Sequence, residues 1–290
     1  MHPTNSKLDC SRMAQLFKKL KEIMPCKTLG LWVDVSNLSR KFAAEFLVLN
    51  SEFRNFDSIF VSGNINAKQL IMMIDLTNKK TTFNVACSDP MRFHHDQAFH
   101  FSSVIYREAR WVRTGHLCSL RNSERVELNY VNLKSEDMNC FLRYWVNSDH
   151  DMFRKMIIHE FPQEIDMRIM LKDIVAVETT RFEKSFTLIS AKLSTSREHK
   201  VLCIGYHNSK LTLHTHFPDE IINYSNETAE SFHTEYEILK LLNEKRDLEK
   251  LLERVTGETD KSELEAKIQN LVDEMNALIG SSDAEIELIA

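Results

Sequence analysis

"VRTGHLCSLRNSERVELNYVNLKSEDMNCF" (residues 112–141) contains one local device twice. An apolar residue (Val112, Leu133) is followed two positions on by a hydroxyl residue (Thr114, Ser135). Three residues later comes an apolar anchor (Leu117, Met138), and three after that another (Leu120, Phe141). That spacing puts both anchors on one helical face, and Thr or Ser ahead of such a run is a favourable N-cap. Between the copies lies "RVELN" (125–129), which alternates apolar and polar residues as a half-buried strand does. The unit is therefore strand, short turn, capped helix.

A third copy starts at Ile65, "INAKQLIMM", with Ala67 as a poor cap and Leu70 and Met73 as anchors. Further strand candidates are "SIFVS" (58–62), "TFNVA" (82–86), "VIYR" (104–107) and "KMIIH" (155–159), roughly 21 to 30 residues apart. A lone β–α unit cannot bury both apolar faces, whereas stacked neighbours can. The expected fold is therefore α/β, an irregular leucine-rich-repeat-like β–α solenoid that begins a domain over residues 55–217. Residues 1–54 would add an N-terminal helix (9–24) and the strand "LGLWVDV" (29–35).

Past a helix near 164–174, "SFTLISAKL" (185–193), "KVLCIGY" (200–206) and "KLTLHTHF" (210–217) alternate in steps of two, with a tight link at His207-Asn208-Ser209. This is an antiparallel meander suited to capping the solenoid. Residues 218–234 form a polar linker. Ile238, Leu241, Leu242, Leu248, Leu252 and Val255, then Leu264, Ile268, Leu271, Met275 and Leu278, make two amphipathic helices over 235–280. They form a helical hairpin, or a coiled coil that self-associates or pairs with a partner's helices. Ser262 with Glu265 reads as a capping box, Gly280 as a stop and 281–290 as a frayed acidic tail.

Composition narrows function. Lys plus Arg number 37 against 42 Asp plus Glu, a net charge of −5, which disfavours a nucleic-acid partner. Six glycines leave no GxGxxG, GxxxxGK[ST] or GxSxG loop. Six scattered cysteines without CxxC, no signal-peptide core and no membrane span suggest reduced thiols in an intracellular protein, cytoplasmic or nuclear.

Candidate chemistry is thin. His94, His95, Asp96 and His100 have ligand types but sit in a polar loop after Pro90. Cys203, His207, His214 and His216 lack a fourth ligand, and Cys118 near His116 falls in a packed helix where a thiol stays protonated. No catalytic residue, metal or cofactor is expected. In "SEDMNCFLRYW" (135–145), Met138, Phe141, Leu142 and Trp145 lie at i, i+3, i+4 and i+7, a single apolar stripe, so its acids serve capping and solvent. Stacked strands instead expose a row their core does not need. By alternation Phe60, Ile105, Glu127 and Asn129 point away from Ile59, Val61, Val126 and Leu128, and Arg110 and Arg113 flank Trp111 as a rim. The expected partner is an unknown protein.

"FDSIFVSGNINAKQL" (56–70), "ARWVRTGHLCSLRNSERVELNYVNLKSEDMNCFLRYWV" (109–146) and "KMIIHEF" (155–161) together resemble the nematode F-box-associated domain of the second type. Trp111 through Thr114 with Leu117 and Leu120 fits the family's Trp-Val-Thr turn and LxxLxxx helix. Asn139, Phe141, Leu142 and Trp145 fit its Asn-x-Phe-Leu-x-x-Trp helix. The resemblance implies a substrate-recognition domain of F-box proteins, here as a non-enzymatic protein-binding module. Such proteins place an F-box first, and residues 1–27 lack its Leu-Pro opening. A role as substrate receptor of a cullin-type ubiquitin ligase, with its adaptor as partner, would need a cryptic F-box. A metal-dependent or cysteine hydrolase is the remote alternative.

Overall fold

The computed structural model describes residues 28–34, 56–87, 93–181, 184–192, 195–222, 231–282 and 284–289, together with Lys19, Glu22 and Ile23. Most of the expected helix 9–24, the rest of the segment 1–54 and much of the linker 218–234 lie outside them. The chain divides into two compact units: Met1–Leu133 with Ile157–Pro162, and Lys134–Met156 with Gln163–Ala290. Both units mix helix and strand.

In the first unit, β1 (Gly30–Asp34), β2 (Ser58–Gly63), β3 (Thr82–Cys87), β4 (Ser103–Tyr106) and β5 (Ser123–Leu128) lie side by side in sequence order, every neighbouring pair parallel. Parallel neighbours require a crossover connection. Helix α1 (Ala67–Leu76) supplies it between β2 and β3, and the single-turn α2 (Thr114–Cys118) between β4 and β5. One side of every strand from β2 to β5 is buried: Ile59, Val61, Phe83, Val85, Val104, Tyr106, Val126 and Leu128. Leu70, Met73, Ile74, Leu117 and Leu120 complete this core. A repeated polar tie sets the stacking. Thr81 Oγ1 donates to Phe56 O at 2.8 Å, and Ser123 Oγ to Phe101 O at 3.0 Å, each just before the next strand begins.

The helix starts differ by one residue from the sequence reading. Asn66 is the N-cap of α1, its Oδ1 accepting from Gln69 N while its own N–H donates to Gln69 Oε1, both at 3.0 Å. Thr114 and Ser135 are the first helical residues rather than caps. The caps are Arg113, whose N–H donates to His116 Nδ1, and Lys134, whose N–H donates to Asp137 Oδ2. A side chain three positions on thus supplies the acceptor for the free cap amide, the reciprocal half of a capping box.

The second unit holds α3 (Ser135–Asn147), α4 (Met167–Met170) and an antiparallel set in the order β10 (Lys210–His216), β9 (Val201–His207), β8 (Lys184–Ser190), β7 (Ala176–Arg181) and β11 (Glu285–Ile289). β6 (Phe153–His159) is divided by the unit boundary at Met156. Asn208 and Ser209, at φ 50° and 57°, form the two-residue β9–β10 turn, the left-handed pair that matches strand twist. Consecutive residues Val201, Leu202, Cys203 and Ile204 are all buried, so β9 is covered on both faces. On one face Val177, Leu188, Val201 and Cys203 pack with Phe232, Tyr236, Ile238 and Leu239 at the start of α5 (His233–Leu252). Helix α6 (Glu258–Ser281) packs along α5 as the expected helical pair.

Four local expectations are corrected. Ser262 and Glu265 lie inside α6, which begins at Glu258, and Gly280 is helical rather than a stop. The tail is not frayed: Glu285–Ile289 pairs with β7, because Ile286 and Leu288 alternate with Glu285 and Glu287 at strand period. β7 itself was not anticipated, and the helix near 164–174 is the four-residue α4.

Candidate protein-binding face

Register decides what the unburied side of the first unit offers. Trp32 pairs with Phe60, Phe60 with Asn84, Asn84 with Ile105 and Ile105 with Glu127. These five residues form one row across five strands, on the parity opposite the core. Phe60, Ile105 and Glu127 were expected there, and Asn129 follows two residues after Glu127 on the same parity. Trp32 and Asn84 were missed, although "GLWVD" and "TFNVA" alternate in the same phase and could have shown them.

Trp32 is 73% exposed, an unusual state for the largest side chain. Its ring meets Phe60 edge-on, with centroids 4.9 Å apart and planes at 70°, and its Nε1 donates to Ser62 Oγ at 3.0 Å. At the other end Glu127 is already satisfied. Arg125 Nη2 donates to its Oε2 at 2.5 Å, and His159 Nε2 stands 3.9 Å from its Oε1. Asn84 Oδ1 within the row and Asn129 Oδ1, just past β5, are buried and accept no hydrogen bond.

Arg110 and Arg113 do not join this row. Arg110 donates from Nε and Nη2 to the two carboxylate oxygens of buried Glu108 at 2.7 and 2.6 Å, and Arg113 Nη1 donates to Arg110 O and Val112 O at 2.9 Å each. Both guanidiniums secure the turn into α2. Trp111 between them is 5% exposed and packs on Phe93, Tyr106 and His116 at centroid distances of 4.7, 5.0 and 5.2 Å. Leu117 and Leu120 are core.

In the second unit Phe141, Leu142 and Trp145 are buried. Asn139 acts as a clamp instead. Its Nδ2 donates to Met170 O at 2.9 Å and Lys172 O at 2.8 Å, tying α3 to the α4 turn. Trp145 carries the Arg197 guanidinium over its ring at 3.7 Å, and Trp145 O accepts from Arg197 Nη1 at 2.7 Å. Burial lowers the Arg197 pKa to about 10, against the opposing pull of Asp151 and Asp149. Asp151, just past α3, is likewise held by the fold. It accepts from Glu198 N and His199 N, and these bonds outweigh burial to hold its carboxyl below the usual range.

Among the described residues the histidines do not converge on a site. His95 Nε2 turns to Asp75 at 3.1 Å, while His94 Nδ1 meets His116 Nε2 at 2.8 Å. His116 Nδ1 accepts the Arg113 N–H, so in the neutral ring Nε2 carries the proton and donates to His94. Burial, then the neighbouring His94 and Arg113, push the His116 pKa down. Burial also raises Cys203 to about 12 and, with Lys155, His216 and Arg154, lowers His214 to about 4. Among the described residues no group of three or more His, Cys, Asp or Glu could hold a metal ion.

A groove of about 670 Å³ in the second unit is lined by Arg143, Lys240 and Lys250 among others, but these pair with Asp173, Glu237 and Asp247 at 3.8, 2.7 and 3.6 Å. Among the described residues no helix is long and apolar enough to cross a membrane.

Comparison with protein-family models, curated proteins and solved structures gives no match. The case for function therefore rests on the row of side chains itself.

Proposed function

We propose that the chain is a non-enzymatic protein-binding module that holds its ligand on the Trp32–Phe60–Asn84–Ile105–Glu127 row. The observation that carries this reading is an exposed Trp32 set edge-on against Phe60, in register with three further side chains the core does not use. Aromatic side chains set in a broad strand surface have the character of interface hot spots. In this reading the first unit is a leucine-rich-repeat-like solenoid of the F-box-associated type. Trp111, Leu117, Leu120, Asn139, Phe141, Leu142 and Trp145 then build and tie the scaffold rather than touch the ligand. The half-buried Leu241, Leu242 and Leu248 and the 47%-exposed Leu251 give α5 and α6 a seam that a second copy or a partner helix could complete.

Affinity purification of the full chain beside a Trp32→Ala/Phe60→Ala variant tests the reading. Proteins recovered by the first and lost by the second, with unchanged thermal melting, are expected; an identical set from both would refute it. Recovery of a cullin-ligase adaptor would move the assignment to a substrate receptor.

A further inference from the structure

The groove between the end of α3 and the flank of α5, wholly within the second unit, differs in chemistry from the open sheet face. Five cations line it, Arg143, Lys192, Lys240, Arg246 and Lys250, against three acids, Asp173, Glu244 and Asp247. This local excess of positive charge stands in a chain whose net charge is −5. Three of the cations keep their donors available at the surface. Arg143 Nη1 and Lys250 Nζ stand 3.8 and 3.6 Å from Asp173 and Asp247, beyond hydrogen-bond reach, and both side chains are more than half exposed. Lys192 is exposed, and its side chain meets no partner among the described residues. Of the other two, Lys240 is held by Glu237, and Arg246 gives one N–H to Asp173 O. Lys240, Arg246 and Lys250 follow one another along α5 over about 15 Å of helix. Half-buried Val146, Val175 and Leu248 form an apolar floor beside them, while Tyr144 is not among the lining residues.

We propose that this groove holds an acidic polypeptide segment, its carboxylates on Arg143, Lys192 and Lys250 and an apolar side chain on the Val146–Val175–Leu248 floor. It is a second site and does not depend on the open-face reading above. The distribution of charge selects the class of ligand. A phosphate or other compact dianion needs donors that converge on one point. Here the cations are strung along the groove and interleaved with three acids, and the last turn of α3 adds the negative end of a helix dipole. That pattern suits single carboxylates spaced along a chain, each beside one cation. An extended segment of about five residues, at roughly 3.3 Å each, matches the length of the α5 flank. A nucleic-acid strand gains from aromatic side chains on which its bases stack, and none lines the groove. Exposed ion pairs as loose as Arg143–Asp173 and Lys250–Asp247 contribute little to folding, so ligand carboxylates replace them at low cost.

Fluorescence polarisation on the full chain tests this with a labelled octapeptide, Glu-Leu-Glu-Asp-Leu-Glu-Asp-Leu. Saturable binding is expected, weakened about tenfold when every acid of the peptide is replaced by its amide, and about fivefold as salt rises from roughly 50 to 300 mM. A Lys192→Glu/Lys250→Glu variant should lose about tenfold in affinity, and Lys192→Gln/Lys250→Gln a smaller part of that. Both variants should melt as wild type does, because neither side chain is buried or hydrogen-bonded; the milder one keeps the test readable if charge reversal disturbs α5. Lys267→Glu, on the exposed side of α6, should leave affinity unchanged, and so should Trp32→Ala/Phe60→Ala. Equal affinity for wild type and the Lys192/Lys250 variants would overturn the proposal, as would no saturable binding up to about 1 mM peptide. A labelled single-stranded octanucleotide that binds as tightly as the peptide would make the groove a nucleic-acid site instead. Displacement of the peptide by inorganic phosphate beyond that by chloride of equal ionic strength would make it a small-anion site; either result overturns the peptide assignment. Loss of the peptide on Trp32→Ala/Phe60→Ala alone would move acidic-peptide binding to the open face and leave that reading standing without this one.

Discussion

The two units handle the second face of a sheet in opposite ways. In the first, strands read buried, half-buried, buried in strict alternation, and helices complete the core on one side only. In the second, four consecutive residues of β9 are buried because α5 packs on a face that a single helical layer would leave open. A sheet face without covering helix must either be polar or be used. The second unit closes its face with its own chain, using Phe232, Tyr236, Ile238 and Leu239. The first leaves Trp32 exposed and Phe60 and Ile105 half-buried, and the proposed partner surface rests on that asymmetry.

The largest effect that can break this comparison lies within one strand. Phe83→Ala, on the covered side of β3, should destabilise the protein by about 3–5 kcal/mol, whereas its neighbour Asn84→Leu should be neutral or stabilise by about 1 kcal/mol. Urea unfolding measures both, and similar losses would mean that β3 has no open face. In β9 neighbours should behave alike. Leu202→Ala should cost about 2–5 kcal/mol and Val201→Ala about 2 kcal/mol, since neither faces water. A negligible cost at Val201 would contradict coverage by α5.

The smallest effect is pH-dependent. His214, lowered to about 4, and His116 both hold fewer protons folded than unfolded. Their contribution is intact above the ordinary histidine value of 6.5 and is lost as pH falls from there toward 4. The urea midpoint should therefore drop between pH 7.5 and pH 5. His214→Gln should flatten that slope, and an unchanged slope would refute the assignment.

Much of this was legible in the residues. Alternation in "SIFVS", "TFNVA" and "RVELN" located three strands and, through them, most of the exposed row, because period two ties each side chain to one face. Trp32 and Asn84 were missed although their strands alternate in the same phase; the register then sets them beside Phe60 and Ile105. The two arginines beside Trp111 looked free, but their partners, Glu108 and two backbone carbonyls, are set by the turn that α2 imposes. Asn139 was legible as a mark of resemblance but not as a clamp, since Met170 and Lys172 lie 31 and 33 residues away. The tail strand was hidden by its acidity, which outweighed the alternation of Ile286 and Leu288.

Photo-crosslinking tests the central claim most directly. A benzophenone amino acid is placed at position 105, on the open row, or at Tyr144, an exposed position of the second unit that is 38% accessible. Irradiation in cell extract should give a discrete protein adduct from position 105 and none from position 144. Adducts from 144 alone, or the same adducts from both, would contradict the assignment of the open sheet face as the binding surface.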